Sequence, residues 1–108
     1  MWLVAKGASI EHQDKLGWTA LHYVVQTGQS SILKVLLSVH SAIDLQDKYG
    51  NTPLWRATFE SKGREDLIRP LLQAGANPYV KNHSGISPYD LALAIANYDV
   101  KSFFIDFI

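Results

Sequence analysis

Three glycines at nearly equal spacing constrain the fold of this chain more than any other feature. Gly17, Gly50 and Gly85 each follow a short polar run and precede a Thr or Ser two residues later, and they lie 33 and 35 residues apart. Self-similarity with a period of about 20 to 50 residues is the signature of a repeat protein, in which each unit stacks only on its neighbours. The spacing therefore predicts one domain, 1–108, built from stacked similar units.

Each unit is expected to begin with a helix just after its glycine. Thr19, Thr52 and Ser87 occupy the N-cap position, where a hydroxyl accepts from the unpaired backbone N–H groups of the first turn. Pro53 and Pro88 follow at the first helical position, where the missing N–H costs nothing and φ is already suitable.

A second helix is expected in each unit, after Gly28 and Gly63 end the first helices. Pro70 lies inside one of these second helices and should remove a hydrogen bond and kink it. The apolar residues at helical spacing are Ile32, Val35, Leu36 and Val39 in one unit, and Leu67, Ile68, Leu71 and Leu72 in the next.

The motifs DxxGxTPLxxA and GxxxLLxxGA, with their period of 33, resemble the ankyrin repeat, whose signature includes T-P-L-H-x-A. The resemblance implies an all-α solenoid of helix–turn–helix units joined by β-hairpin loops, with about three units and a truncated first one. The expected divisions are a partial repeat at 1–13, a repeat at 14–46, a repeat with a two-residue insertion at 47–81, and a C-terminal capping repeat at 82–108.

The last unit is expected to close the open end of the stack. Asp99 to Ile108 should form a helix whose apolar stripe covers the preceding repeat, as the terminal unit of a solenoid requires. The stripe consists of Val100, Phe103, Phe104 and Phe107.

Composition excludes several classes of function. Ten basic and ten acidic residues cancel, whereas nucleic-acid binders carry a basic excess, so we expect no nucleic-acid partner. There is no cysteine and no apolar run of membrane-spanning length, and the start MWLVAKGAS lacks the hydrophobic region of a signal peptide. We expect a cytoplasmic protein with no membrane partner.

No catalytic or ligand-binding constellation is present in the sequence. There is no phosphate-binding glycine loop followed by G-K-S/T, no H-E-x-x-H helix, and no His/Cys spacing suited to zinc. His22 matches the family's T-P-L-H histidine, which by resemblance hydrogen-bonds hairpin backbone, and His12, His40 and His83 are expected in solvent. We therefore predict no enzyme activity, no cofactor, no metal and no small-molecule substrate.

A solenoid without catalytic or ligand-binding groups is expected to bind another protein on its extended concave surface. Resemblance to the ankyrin family implies contacts from the hairpin tips and the exposed face of the first helices. The candidates are Gln13, Lys15, Leu16, Trp18, Gln26 and Thr27 in one unit, Lys48, Tyr49, Asn51, Trp55, Arg56, Phe59, Glu60 and Lys62 in the next, and Lys81, His83 and Ile86 in the last.

The segment DKYGNTPLWRATFESKG departs from the repeat after Leu54. Trp55 replaces the histidine, Arg56 follows it, and two extra residues are expected to lengthen the turn and to project residues 59–62 towards the groove or its rim. Trp and Arg are enriched at binding hot spots, which favours a contact role. The alternative is structural, with Trp55 packed on the neighbouring hairpin and Arg56 ion-paired with Glu60.

A narrower resemblance concerns short bacterial ankyrin proteins that serve as immunity partners of secreted toxins. The similar features are the T-P-L-W-R helix start, the lengthened turn, the GANPYVKN hairpin and the IANYDVKSFF closing segment. This resemblance implies an antitoxin that occludes a toxin domain. The alternatives are a general ankyrin adaptor, a host-directed effector, and a structural or self-associating role.

Overall fold

The computed structural model describes residues 13–39, 43–60, 65–95, 100 and 102–104. Within these ranges the elements are α1 (Ala20–Gln26), α2 (Ser30–Val39), α3 (Pro53–Glu60), a 3-10 turn (Glu65–Leu67), α4 (Arg69–Gln73) and α5 (Pro88–Ala94). The predicted all-helical repeat fold is confirmed.

The helices form two layers. In the first layer α1 packs on α3, and α3 packs on α5. In the second layer α2 packs on α4 and its preceding 3-10 turn, and α2 also contacts α1. The pairs α1–α2 and α3–α4 therefore each contribute one helix to each layer, and the apolar core lies between the layers.

Two of the three predicted N-cap hydroxyls, those of Thr52 and Ser87, accept from first-turn N–H groups, whereas the hydroxyl of the N-cap residue Thr19 lies against His22 Nδ1. Thr52 Oγ1 accepts from the backbone N–H of Trp55 at 3.2 Å. Ser87 Oγ accepts from the N–H of Asp90 at 3.1 Å, while Asp90 Oδ2 accepts from the N–H of Ser87 at 3.0 Å, which completes a reciprocal capping box. Pro53 begins α3, as expected of a proline at a first helical position.

The core-facing stripe of α2 differs from the predicted one. Leu33 and Leu36 are fully buried, whereas Val35, one of the apolar residues expected at helical spacing, is 50% exposed. At about 100° per residue, Val35 lies roughly 200° around the helix from Leu33 and so faces solvent. In the next unit all four predicted core residues, Leu67, Ile68, Leu71 and Leu72, are buried.

The second helix of the unit that contains Pro70 differs from the kinked helix that was predicted. The segment divides into the 3-10 turn Glu65–Leu67 and the short helix α4, with Ile68 as the N-cap of α4. Pro70 is then the second residue of α4, where its missing N–H leaves no helical acceptor unpaired. The proline therefore divides the segment into two short pieces instead of kinking one helix.

The loops between repeats are tight turns with a common pattern. The backbone N–H of Asp14, Asp47 and Asn82 donates to the carbonyl four residues later, at 3.1, 2.9 and 3.0 Å. None of the described residues lies in a β-strand, so the implied β-hairpins are present as turns.

Consecutive turns stack through their backbones. Lys48 N–H donates to the carbonyl of Leu16 at 2.9 Å, and His83 N–H donates to the carbonyl of Tyr49 at 3.0 Å. Gly50 has φ +84°, and a Cβ there would lie 2.7 Å from the backbone nitrogen of His83. Glycine is required at this position both for its conformation and for the close approach of the next turn.

At the C-terminal end, Val100 and Phe104 are fully buried, and residues 102–104 form a 3-10 turn. Phe103 is half-buried against the core. The remainder of the predicted closing helix lies outside the described residues, as do residues 1–12 of the predicted partial repeat 1–13, His40, Lys62 and Gly63. No helix in the described ranges is long and apolar enough to cross a bilayer.

Candidate protein-binding surface

The guanidinium of Arg56 lies among three aromatic rings that come from two repeats. Its Cζ is 5.2 Å from the ring centroid of Trp18, 5.6 Å from that of Trp55 and 5.5 Å from that of Phe59. These distances are within the range of cation–π attraction. We call these four residues the arginine cluster.

Helix α3 and the preceding turn position the cluster. Trp55 and Phe59 are four residues apart on α3, and their rings stack with centroids 5.5 Å apart and planes 14° apart. Trp18 lies in the turn before α1, next to the N-cap Thr19. Its indole N–H donates to Oδ2 of Asp47 at 3.1 Å. This bond fixes Trp18 against the next turn, which brings its ring to Arg56.

Two donors of the cluster have no acceptor. Arg56 Nε and Trp55 Nε1 are buried and make no hydrogen bond. Buried donors are normally satisfied, so each such exception calls for an explanation. The ion pair of Arg56 with Glu60 that the structural alternative predicted is not among the ion pairs between described residues.

His22 links two repeats, as the family resemblance implied. Its Nε2 donates to the backbone carbonyl of Asn51 at 2.9 Å, and its Nδ1 accepts from the N–H of Thr19 at 3.1 Å. Because the carbonyl can only accept and the amide N–H can only donate, these bonds select the neutral Nε2–H tautomer. Burial is the main cause that lowers the pKa of His22 from its ordinary value of 6.5.

Tyr23 extends the aromatic row and was missing from the sequence-based candidates. It is 45% exposed and packs edge-on against Trp18, with centroids 4.9 Å apart. Its hydroxyl donates to Asp14, which lowers the pKa of Asp14 and raises that of Tyr23. Tyr23 lies 33 residues before Arg56, at the same position of its unit, and that spacing could have identified it.

The turn tips present a row of basic and apolar side chains beside the arginine cluster. Lys15, Lys48 and His83 are exposed at equivalent positions of consecutive turns. Leu16 is 40% exposed and Tyr49 is 54% exposed. The Lys48 ammonium lies 5.2 Å from the centroid of the Tyr49 ring.

Most of the predicted contact residues are accessible to some degree. The exposed ones are Gln13, Lys15, Leu16, Gln26, Thr27, Lys48, Tyr49, Phe59, Lys81, His83 and Ile86. The half-buried ones are Trp18, Trp55, Arg56 and Glu60. Lys62 lies outside the described residues.

Asn51 is a correction to the predicted contact set. Its side chain is 5% exposed, and its Oδ1 accepts from Nδ2 of Asn82 at 2.9 Å. Its backbone N–H donates to Oδ1 of Asp47 at 2.9 Å, and its carbonyl accepts from His22. Asn51 therefore joins consecutive turns and is not available to a partner.

The predicted location of Phe59 and Glu60 in a lengthened turn is also wrong. Both residues belong to α3, which extends through Glu60. The helix holds Phe59 one turn beyond Trp55, so the ring of Phe59 is placed by helical geometry. Phe59 nevertheless remains 55% exposed.

Two other predicted contact residues make hydrogen bonds within the stack. Gln13 Nε2 donates to the carbonyls of Gly17 at 2.9 Å and Gln46 at 2.8 Å. Lys81 Nζ lies 3.2 Å from Oδ2 of Asp90. These side chains stabilise the turns, and they are weaker contact candidates than the residues of the arginine cluster.

The described residues contain no group of three His, Asp or Glu side chains arranged to hold a metal ion. Their polar side chains instead cap helices and join turns, as the hydrogen bonds of Thr52, Asp47 and Asn82 illustrate. The arrangement is suited to contacts with a macromolecule.

The profile of the family described as "Ankyrin repeats (3 copies)" matches residues 1–82. The chain belongs to the ankyrin-repeat family. Ankyrin repeats mediate protein–protein interactions and are generally non-enzymatic binding modules.

Several relatives share about a third of their aligned residues with the chain. A probable 26S proteasome regulatory subunit p28 of Saccharomyces cerevisiae is 31% identical over 97% of the chain. Ankyrin repeat and SOCS box protein 2 of Bos taurus is 35% identical over 76%, and a putative ankyrin repeat-containing protein of Treponema pallidum is 33% identical over 79%. The chain covers 45%, 13% and 28% of these proteins, respectively, which is less than half of each.

Proposed function

We propose that this chain is a non-catalytic protein-interaction module whose contact surface is the arginine cluster together with the adjoining turn tips. The tips are those of Lys15, Leu16, Lys48 and Tyr49, and we call the whole surface the binding face. The observation that carries the proposal is Arg56, a half-buried cation held among aromatic rings with an unpaired Nε–H.

The composition of this face supports a protein partner. Tyr, Trp and Arg are the side chains most enriched at binding hot spots, where they lie in desolvated centres surrounded by weaker contacts. Phe59 and Tyr49 are each more than half exposed. Covering the exposed part of these rings with a partner would be favourable in free energy.

The stacked turns support a preorganised surface. The backbone hydrogen bonds between Lys48 and Leu16 and between His83 and Tyr49 hold consecutive tips in register. A side chain that is already ordered loses less conformational entropy on binding. The same hydrogen bonds support our division of the chain into units at 14–46, 47–81 and 82–108, which we retain as a proposal.

As the finer role, we propose that the chain is an immunity protein that binds a bacterial toxin domain in the cytoplasm and occludes its active site. The resemblance of the T-P-L-W-R start and the GANPYVKN turn to such proteins supports this role. Trp55 and Arg56 of this start belong to the arginine cluster, so the departure from the repeat consensus coincides with the proposed contact. Occlusion requires a rigid surface and no chemistry.

The second candidate is an adaptor or regulatory subunit of a larger assembly. The similarity over 97% of the chain to a protein named as a probable proteasome regulatory subunit favours this candidate. Both candidates use the same face and differ in the identity of the partner.

The proposed function is tested by affinity capture from the native cell, followed by reconstitution with the purified partner. Wild-type chain and a Trp18→Ala/Phe59→Ala variant are compared, with Lys34→Ala as the matched control on the exposed side of α2. We expect one protein to bind the wild type and the control and to lose affinity for the double variant. The absence of any partner that binds the purified wild type would contradict the proposal. Inhibition of a toxin encoded by a neighbouring gene would separate the immunity role from the adaptor role.

A further inference from the structure

We infer that the binding face recognises an acidic segment of its partner protein, in which an Asp or Glu carboxylate binds the Arg56 guanidinium and the next apolar side chain packs on Phe59. This inference rests on the proposed function and specifies the chemistry of the partner. Three observations carry it, namely the uncommitted donors of Arg56, the committed carboxylates around it, and the unpaired lysines at the neighbouring tips.

The Arg56 side chain makes no hydrogen bond to any described residue, and its Nε–H is buried without an acceptor. The ring faces attract the cation but offer its N–H groups no lone pair. A guanidinium presents five donors in a planar fork that matches a carboxylate. An incoming carboxylate would therefore bind the Nη donors, which make no hydrogen bond to any described residue, whereas the buried Nε–H lies beyond its reach.

The nearby acids already have other donors. Asp47 is 4% exposed and accepts from Tyr49 N–H, Asn51 N–H and the Trp18 indole. Asp14 accepts from the N–H groups of Leu16 and Trp18 and from the Tyr23 hydroxyl. These carboxylates hold the turns together and make no hydrogen bond to Arg56. Glu60, one helical turn from Arg56, forms no ion pair with it in the described part of the chain.

The lysines of the neighbouring tips are also uncommitted. Lys15 and Lys48 are exposed and form no ion pair with any described carboxylate. Two cations elsewhere are paired, since Arg69 contacts Glu65 at 2.7 Å and Lys81 contacts Asp90 at 3.2 Å. The binding face therefore presents three cations, Lys15, Lys48 and Arg56, that form no ion pair with a described carboxylate, and an acidic partner surface would complement them.

The aromatic rings of the arginine cluster favour a protein carboxylate over a nucleic-acid phosphate. The Trp55 and Phe59 rings stack on each other and leave Phe59 more than half exposed, which suits an apolar side chain beside the carboxylate. The chain as a whole carries no basic excess, whereas phosphate-backbone binding depends on several cations together. A nucleic acid is accordingly the competing outcome of the test.

The test uses three fluorescein-labelled 12-residue probes with the purified chain. The first alternates Glu and Leu, the second replaces each Glu with Gln, and the third is an oligo-dT of 12 nucleotides. Binding is measured by fluorescence anisotropy, while the indole N–H resonances of Trp18 and Trp55 and the Nε–H resonance of Arg56 are followed by NMR with unlabelled peptide. We expect millimolar or tighter binding of the Glu peptide, with shifts of the Arg56 and Trp55 resonances.

Variants separate the roles of the cations. Arg56→Gln should lower the affinity for the Glu peptide about thirtyfold or more. Arg56→Lys should restore only part of that affinity, because lysine lacks the planar fork of donors. Lys15→Gln/Lys48→Gln should mainly reduce the dependence of binding on salt. Lys34→Gln removes one exposed positive charge from α2 and should change neither the affinity for the Glu peptide nor its dependence on salt.

The inference is overturned if the Gln peptide binds as well as the Glu peptide, if no peptide binds at millimolar concentration, or if Arg56→Gln binds like wild type. Tighter binding of the oligonucleotide would overturn it in favour of a nucleic-acid surface. The proposed function is judged separately by the captured partner. A partner that needs Trp18 and Phe59 but binds Arg56→Gln as tightly as wild type would leave the proposed function intact. It would contradict the acidic-segment inference alone.

Discussion

The Nε2–H of His22 donates to the backbone carbonyl of Asn51 across 2.9 Å, which joins the first helix of one repeat to the turn of the next. The other ring nitrogen accepts from the N–H of Thr19. The bond at Nδ1 requires the neutral ring, whereas a protonated ring still donates from Nε2. A proton on Nδ1 would remove that acceptor and leave the Thr19 N–H without a partner, so the stability of the stack is linked to the charge of His22.

The first prediction concerns the pH dependence of stability. Because burial lowers the pKa of His22 below 6.5, the unfolded chain binds a proton in that range while the native chain does not. The free energy of unfolding should therefore fall as the pH decreases through 6.5. Urea titrations between about pH 7.5 and 5.5 measure the slope. His22→Gln should be less stable at pH 7.5 but should show a flatter slope, and an unchanged slope would contradict the assignment.

The second prediction compares two glycines with the same conformation. Gly50 and Gly85 have φ +84° and +78°, so alanine is strained at both. A Cβ on Gly50 would also meet the backbone of His83 at 2.7 Å, whereas a Cβ on Gly85 has no described heavy atom within 4 Å. Gly50→Ala should therefore lower the melting temperature more than Gly85→Ala. Equal losses would mean that the turns do not stack as closely as described.

The third prediction concerns the C-terminal cap. Phe104 is fully buried beside Tyr89, with ring centroids 6.2 Å apart, whereas Phe103 is half-buried. Phe104→Ala should cost about 3 to 5 kcal/mol, a large part of the roughly 5 to 15 kcal/mol that stabilises a domain. Phe103→Ala should cost less. Urea denaturation of both variants checks the order, and a wild-type midpoint for Phe104→Ala would show that the ring does not cap the stack.

The fourth prediction is that calcium, zinc and ATP leave the melting temperature unchanged. The described residues hold no metal-binding cluster, and the sequence carries no phosphate-binding glycine loop. A ligand that binds the native state raises stability in proportion to the logarithm of its concentration above Kd. Thermal melts at millimolar ligand test this, and a reproducible upward shift would contradict a purely protein-binding module.

The sequence predicted those parts of the fold that depend on local chemistry. The N-caps Thr52 and Ser87 could be identified because capping involves residues only three positions apart. The stripe of α2 was harder, because Ile32, Leu33 and Val35 are all apolar and the pattern allows more than one buried face.

The candidate site was less predictable because its geometry depends on neighbouring repeats. Trp18 and Asn51 occupy equivalent positions, yet Asn51 is buried since Asn82 of the following turn packs on it. The contact between Arg56 and Trp18 joins residues 38 positions apart, which single-repeat periodicity does not reveal. The unpaired donors could be recognised only once the surrounding acceptors were placed.

The last prediction concerns the stability of the chain when Arg56 loses its charge. Arg56→Met keeps an unbranched apolar stem and removes a half-buried cation whose Nε–H has no acceptor. The lost cation–π attraction is worth about 0.5 to 2 kcal/mol, and relief of the desolvated, unpaired charge acts in the opposite direction. The free energy of unfolding should therefore stay within about 1 kcal/mol of wild type or rise, while binding of the Glu peptide is lost.

Such a variant separates a functional cation from a structural one. Urea denaturation gives its stability, and the anisotropy assay gives its affinity, with Lys34→Met as the control for loss of an exposed cation. If Arg56 serves binding and adds no stability, Arg56→Met should lose affinity for the Glu peptide while its free energy of unfolding stays the same or rises. If Arg56→Met instead loses more than about 2 kcal/mol, the guanidinium is a structural link between the Trp18 turn and α3, because a change of that size exceeds what a surface substitution causes.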